Sequence, residues 1–234
     1  MRLLVISDIH ANLEALRAID EPCDAVLCLG DIVDYGPDPV GCITYLREMK
    51  PQRVRGNHDN AVAHRVDCGC NEEYLHLSVA TRKYMWQVMG QEHIDYVGGP
   101  GLSHEFEAGG WSVLAVHAAP SDYLFKYLAP ETPDDEIAAE LERSGADIVL
   151  VGHSHKPFVR RVGGKTLVNV GSVGQPRDGI PKASYAVLDN GGVELKRVGY
   201  DIEAAVAGVM GLPLEEKVRE DLAYILRHAR MPGE

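Results

Sequence analysis

Five short segments rich in Asp, His and Asn follow apolar runs in a fixed order: Asp8-Ile9-His10, Gly30-Asp31-Ile32-Val33-Asp34, Gly56-Asn57-His58-Asp59, a single His117, and Gly152-His153-Ser154-His155. They offer carboxylate, amide and imidazole donors, enough for two neighbouring divalent cations. Taken singly, none is persuasive. Asp-x-His is commonly a surface pair, Gly-Asn-His-Asp is built of turn formers, and a lone His117 reads as a buried, hydrogen-bonded histidine. The ordered set is different, because independent accidents rarely recur at the ends of successive strands.

The two-residue spacings of Asp8/His10 and His153/His155, read as extended chain, put each pair on one side. Asp31 follows a glycine, which permits close backbone approach, and its two oxygens suit a bridge between two ions. Asp34 reads either as an acceptor behind a ligand imidazole or as a turn cap before Tyr35-Gly36-Pro37. Asn57 supplies a neutral amide oxygen. His58, its neighbour, is expected to face substrate rather than metal, with Asp59 holding its other ring nitrogen. His64, His76, His93, His104 and His228 lack this context and are expected at the surface.

The elements that must position these residues show in the apolar periodicity. Strands at 2–7, 24–29 and 52–55 alternate with helices at 12–19 and 40–49, a β-α-β-α-β run that implies parallel strands with right-handed crossovers. The motifs then fall at the C-terminal strand ends, where open α/β sheets place their sites. A helix is expected over 72–89 and another over 134–142, with a strand at 147–151. Hairpins are expected at 101–107/111–116, 158–162/166–170 and 184–188/193–200, each around a Gly-containing turn. Gly164-Lys165-Thr166 looks like the tail of a P-loop, but Val159 stands where its first Gly belongs, so it reads as a hairpin turn. The tail, 201–230, carries Leu214, Val218, Leu222, Ile225 and Leu226 near one helical stripe, expected to pack across the core, with a dimer contact as the alternative. The pattern predicts one α/β domain over 1–234, with mixed sheets in a four-layer α-β-β-α sandwich and residues 60–116 as a partial lid.

Net charge is −12, from 23 Lys and Arg against 35 Asp and Glu. Such acidity argues against stable nucleic-acid or anionic-membrane binding, although a metal-lined site can still take an anionic substrate. The apolar run Leu3-Leu4-Val5-Ile6 is too short for a signal peptide or a span, and a cytoplasmic location is expected. Five cysteines without zinc-finger spacing argue against a disulfide framework. Cys68-Gly69-Cys70 reads as reduced thiols in a loop, with metal binding or a strained redox pair as the sharper alternatives.

The ordered motifs resemble those of the calcineurin-like metallophosphoesterase family, over roughly residues 1–181. Within that family, Ser7-Asp8-Ile9-His10-Ala11-Asn12-Leu13-Glu14-Ala15-Leu16 and Gly171-Ser172-Val173-Gly174-Gln175-Pro176-Arg177 are similar to the compact bacterial and archaeal phosphodiesterase-type branch. The resemblance implies that Asp8, His10, Asp31 and His155 bind one metal and that Asp31, Asn57, His117 and His153 bind the other. His58 would be the general acid or phosphate stabiliser. Arg177, in a turn-rich loop after the strand ending at Val170, is itself expected to swing toward the phosphoryl group, with a solvent-facing position or an ion pair with Asp178 as the alternative, and Asn12 is a further expected substrate contact. The cofactors would be two divalent ions drawn from Mn, Fe, Zn, Co or Ni. The implied reaction is hydrolysis of a small phosphorylated substrate, a phosphodiester above all, by a hydroxide bridging the ions. Phosphomonoester (including phosphoprotein) and dinucleoside polyphosphate hydrolysis are the alternatives; Tyr35, Tyr123 and Phe125 near the motif loops could seat a base. A retromer subunit uses the same fold as a non-catalytic scaffold, but it departs at the position of His58. The family's usual Gly after the lone histidine is Ala118 here, which narrows the expected pocket. A homo-oligomer is compatible with the sequence.

Overall fold

The computed structural model describes residues 1–233. The chain opens with β1 (Arg2–Ile6), α1 (Leu13–Arg17), β2 (Ala25–Cys28), α2 (Pro39–Met49) and β3 (Gln52–Arg53), then three helices, α3 (Asn57–His64), α4 (Glu72–Val88) and α5 (Gln91–Gly98). There follow β4 (Ser103–Ala108), β5 (Trp111–Val116), α6 (Asp134–Ser144), β6 (Ile148–Val151), β7 (Phe158–Val162) and β8 (Lys165–Asn169). The chain closes with β9 (Ala183–Asp189), β10 (Gly192–Val198), α7 (Ile202–Met210) and α8 (Glu216–His228).

The strands form two five-stranded sheets, ordered β10-β9-β1-β2-β3 and β4-β5-β6-β8-β7. Each sheet is mixed. β1, β2 and β3 run parallel, as do β5, β6 and β8, while the three hairpins and the β1–β9 pair are antiparallel. The period-two alternation of strands assigns the layers. Leu3, Val5, Leu27 and Leu29 face Val113, Ala115, Ile148 and Leu150 in the core between the sheets. The intervening Leu4, Ile6, Val26 and Cys28 face outward against α1 and α2, and Leu114, Val116, Val149 and Val151 face outward against Ile137 and Leu141 of α6. Both faces of the central strands are therefore buried, which is why they read as unbroken apolar runs. The result is the expected α-β-β-α sandwich.

Two helices escape the apolar pattern. α3 begins inside Gly56-Asn57-His58-Asp59, where turn-forming residues mask it; the Asp59 carboxylate accepts the Gly56 N–H at 3.3 Å, as an N-terminal helical acid does. α5 is only eight residues long. The tail forms two helices rather than one stripe, broken around Gly211-Leu212-Pro213. Val206, Val209, Val218 and Leu222 pack with Tyr35, Tyr74 and Leu77 against α4. Of the stretch expected as a lid, only the loop 65–71 and α4 border the motif loops, and β4 and β5 belong to the second sheet. Among the described residues, no helix is long and apolar enough to cross a membrane.

Candidate metal centre

The two parallel strand sets turn their C-terminal ends to the same edge, and all five motifs sit there. Backbone bonds tie the loops together: Asp8 and His10 N–H donate to Gly30 and Asp31 carbonyls at 3.0 Å, and Gly152 N–H donates to His117 at 2.9 Å. The loops are not extended. Asp8, His10, Asp31, His153 and His155 all lie at φ between 46° and 63°, left-handed backbone that Asp and His adopt more readily than other residues with a Cβ. Each such residue stores strain that the surrounding contacts must hold. The reason inferred from extended geometry is thus corrected: Asp8 and His10 converge because both are left-handed, not because they alternate along a strand. Gly56 and Gly152 explain the close approach of the carboxylates. A Cβ at Gly56 would strike Asp31 Oδ1, and one at Gly152 would strike Ser7 Oγ and Asp8 Oδ2.

Two donor clusters result. In the first, His155 Nε2 lies 3.2 Å from both Asp8 Oδ1 and His10 Nε2. In the second, His117 Nε2 lies 2.9 Å from Asn57 Oδ1, 3.2 Å from His153 Nδ1 and 3.2 Å from Asp31 Oδ2. Asp31 Oδ2 is also 3.9 Å from His10 Nε2, so it stands between the clusters. The opposite ring nitrogens are spoken for by backbone carbonyls. His10 Nδ1 pairs with Val33 at 2.8 Å, His117 Nδ1 with Leu29 at 2.9 Å, His155 Nδ1 with Gln175 at 2.5 Å and His153 Nε2 with Phe125 at 3.2 Å. The outer nitrogen of each ring therefore carries a proton, and the inner one is the nitrogen left for a lone pair when the ring is neutral, the arrangement of metal-ligating histidine.

In the first cluster burial keeps His10 and His155 neutral, so their inward lone pairs face each other at 3.2 Å and cannot satisfy one another. Asp8 Oδ1 and Asp31 Oδ2 are buried and accept no hydrogen bond, a costly state for a carboxylate without a cation. Burial works against ionisation at Asp8 and Asp31, yet the imidazoles hold both well below the usual carboxylate range. Burial would depress His117, but Asp31 raises it to about 9; burial and His117 together push His153 down to about 3. The donor set fits divalent metal, and its mix of oxygen and imidazole nitrogen suits the first-row ions.

His58 stands outside both clusters, and the structure corrects its expected partner. His58 Nδ1 bonds Asp34 Oδ2 at 2.8 Å, and the same oxygen accepts Arg82 Nε and Nη2 at 3.2 Å. Asp59 instead accepts backbone N–H groups from Asp31 at 2.8 Å and Ile32 at 2.9 Å, so it braces the Asp31 loop against α3 and does not touch the His58 ring. The physical reason is the unforeseen helix: three residues into it, Asp59 points back at its N-terminus while His58 points away. Burial and the charge of Asp31 push the Asp59 carboxyl up to about 7. Burial alone would lower His58, but Asp31 and Asp34 outweigh it and raise its affinity for a proton. Asp31 Oδ1 accepts the His58 N–H at 2.9 Å, seating a carboxylate at the α3 N-terminus.

The expected substrate contacts divide. The Asn12 side chain accepts Ala15 N–H at 3.1 Å, capping α1, and donates to the Gly174 carbonyl at 2.9 Å, so both ends are committed to structure. Arg177 lies over the Tyr74 ring at 3.6 Å and bonds Gln175 Oε1 at 2.7 Å, whereas Asp178 pairs with Arg197. Arg177 lines a cleft of about 310 Å³ with Asn71, Tyr74, Tyr127, Ser154 and Lys156. Tyr127 stacks on His153 at 3.9 Å, which joins this cleft to the second cluster. Phe125 contributes its carbonyl to His153, and its ring is exposed. Tyr35 is buried against His10 and His58, with its hydroxyl 3.4 Å from His58 Nε2. Sequence reasoning missed Tyr74, Arg82 and Tyr127. Tyr74 and Arg82 sit on α4, where Tyr74 looks like an ordinary core residue and Arg82 like a surface one. Cys68 and Cys70 also border His58. Hydrogen bonding from Cys68 pulls the Cys70 thiol down to about 5. All five cysteines are free.

Residues 1–191 match the family model described as the calcineurin-like phosphoesterase superfamily domain. The chain is 35% identical over 243 residues to an uncharacterised protein of Methanocaldococcus jannaschii, covering 94% of this chain and 96% of that protein. A metallophosphoesterase of Sphaerobacter thermophilus superposes with a TM-score of 0.82 at 29% identity, covering 98% of this chain and 99% of that one. A hypothetical protein of Pyrococcus horikoshii gives a TM-score of 0.86 at 21% identity, covering 99% of both chains, a likeness of fold.

Proposed function

Because this chain belongs to the calcineurin-like phosphoesterase superfamily, we propose that it is a two-cation esterase acting on a small phosphodiester. The observation that carries this reading is the pair of buried carboxylate oxygens, Asp8 Oδ1 and Asp31 Oδ2, left without hydrogen bonds among inward-facing imidazole nitrogens. His58, the position at which the scaffold departs, stands beside them and favours an enzyme over a scaffold. Asp8, His10, Asp31 and His155 would hold one cation; Asp31, Asn57, His117 and His153 would hold the other. When bound, such ions neutralise phosphoryl charge and make a nucleophile available at neutral pH.

The remaining chemistry belongs to the side chains. His58, raised in proton affinity and held by Asp34, gives a proton to the departing oxygen. Arg82 holds Asp34 in place through two hydrogen bonds to Oδ2. Arg177 presents a planar fork suited to phosphoryl oxygens. The cleft beyond His153 leaves room for a second ester substituent on phosphorus, which favours a diester over a monoester. Its walls, Tyr74 and Tyr127, support dinucleoside polyphosphates as the second reading.

Stripped protein reloaded with Mn²⁺ should take up two equivalents, one for each His/Asp donor cluster. It should then hydrolyse diesters faster than monoesters in a panel that includes cyclic nucleotides and dinucleoside polyphosphates. Full activity at a stable single equivalent would defeat the two-cation reading, and inactivity on every ester would defeat the enzyme reading. Arg177→Lys, with the metal content unchanged, should raise KM or lower kcat by about tenfold, the loss of one charge-assisted fork. Unchanged kinetics would leave Arg177 as a structural neighbour of Tyr74.

A further inference from the structure

The loop between α3 and α4 brings two sulfurs to the histidine that the reaction needs. The ligand atoms of His58, Cys68 and Cys70 lie within 4.8 Å of one another. Tetrahedral zinc, with bonds of about 2.0–2.1 Å to nitrogen and 2.3 Å to sulfur, places its ligand atoms about 3.5–3.8 Å apart, so a shift of about 1 Å closes the set. None of these three residues belongs to the two donor clusters of the metal centre.

The surroundings favour a cation over other uses of the thiols. His58 Nδ1 is committed to Asp34 at 2.8 Å, which leaves Nε2, whose neighbour is the Tyr35 hydroxyl at 3.4 Å, as the lone-pair nitrogen of the neutral ring. A carboxylate behind an imidazole is the support that metal-binding histidines use. Cys68 is buried, Cys70 is half-buried, and both sulfurs reach Ser78 Oγ, at 3.5 and 3.4 Å, so they turn to one side of the loop. The bend between them sits at Gly69, φ +60°, where a Cβ would press on the Phe125 ring at 2.8 Å. A disulfide between Cys68 and Cys70 would account for the sulfurs but not for an imidazole nitrogen within 4.8 Å of both.

We propose that His58, Cys68 and Cys70 form a third cation site, selective for a thiophilic divalent ion of the zinc class, and that filling it switches the enzyme off by withdrawing His58 from substrate. Binding exchanges thiol protons, released to solvent, for metal–sulfur bonds, and nothing is oxidised. Manganese, a harder ion, is a poor partner for two sulfurs and leaves the site open. The loop also reaches the metal centre directly, since the Cys68 carbonyl accepts Asn57 Nδ2 at 2.6 Å. The inhibitory half of this inference rests on the role given to His58 in the proposed reaction.

Cadmium is the probe, added without oxygen to protein already loaded with manganese. We expect one cadmium equivalent beyond the manganese, a cadmium–thiolate charge-transfer band, retained manganese, and turnover of diesters with poor leaving groups lowered by about 10²-fold, the cost of losing a positioned acid. Cys68→Ser/Cys70→Ser should keep its basal turnover and lose both the band and the inhibition. Cys70→Ala, at the more exposed position, should lose most of both and guards against misfolding of the double variant. An equal band in these variants, loss of manganese one for one with cadmium uptake, or disappearance of two thiols without bound cadmium would each overturn the site. The band and the metal count need no turnover. Protein that binds cadmium through these sulfurs but cleaves no ester therefore upholds the site and overturns the proposed reaction instead.

Discussion

Asp31→Asn should lower the cation content of reloaded protein to one equivalent or less and cut turnover by about 10³-fold or more. Asp31 Oδ2 is the atom nearest both donor clusters, 3.2 Å from His117 Nε2 and 3.9 Å from His10 Nε2. The amide keeps the size of the side chain and can still accept the His58 N–H, so the fold should survive while the bridging charge is lost. Each cation supplies several kcal/mol of charge stabilisation in phosphoryl transfer, and about 1.4 kcal/mol is a factor of ten in rate. The metal-free protein offers a second reading of the same residue. Asp31 holds His117 up at about 9, above the value of about 6.5 expected in an unfolded chain. The stability contributed by this pair is therefore complete below about pH 6.5 and is lost as pH rises through about 9. Melting temperatures of metal-free Asp31→Asn should lack that decline. Two retained equivalents of metal in the variant would show that Asp31 does not bridge.

The donor atoms were legible because chemistry and strand ends coincide. Five apolar runs each ended in an oxygen or imidazole donor, and the structure draws Asp8, His10 and His155 into one cluster and Asp31, His117 and His153 into another. The layers were legible too, since fully buried strands leave no amphipathic alternation and hairpin turns carry their own glycines. What failed was local backbone. Nothing in Gly56-Asn57-His58-Asp59 distinguishes a turn from the first turn of a helix, because the same residue types favour both. That single ambiguity misassigned Asp59 to His58 and concealed Asp34 as its true partner. The left-handed conformations of Asp8 and His10 were equally silent, because tertiary bonds such as His10 N–H to Asp31 impose them rather than local propensity.

Residues that shape the cleft were illegible for a different reason. Arg82 and Tyr74 lie on α4, eight residues apart, with no motif around them; only the fold brings Arg82 to Asp34 and Tyr74 to Arg177. Asn12 shows the converse case. Its place in a family-typical segment suggests substrate, and the structure shows its amide also capping α1 and tying the loop to Gly174. A motif ranks residues by type and position, whereas hydrogen-bond capacity decides which still have atoms to offer.

His58→Ala should separate proton transfer from cation binding. The ring lies outside both donor clusters and is held by Asp34 at 2.8 Å, so its removal should leave both cations and the fold in place. Losing a positioned acid costs about 10²–10⁴-fold in rate. The loss should be largest for substrates with poor leaving groups, which need a proton as the bond to phosphorus breaks. It should shrink toward tenfold or less for nitrophenyl-type leaving groups, which depart as stable anions. Asp34→Asn should move in the same direction by a smaller factor, because it weakens the orientation and charge behind the ring without removing it. His153→Ala is the contrast: it takes a donor from the second cluster and should deplete metal along with activity for every substrate. The measurement is a plot of log kcat against leaving-group pKa for the wild type and each variant, with metal content determined on the same samples. A steeper slope in His58→Ala at full metal content assigns the ring as the acid. Parallel lines would make His58 a stabiliser of phosphoryl charge instead, and lost metal would make it a ligand.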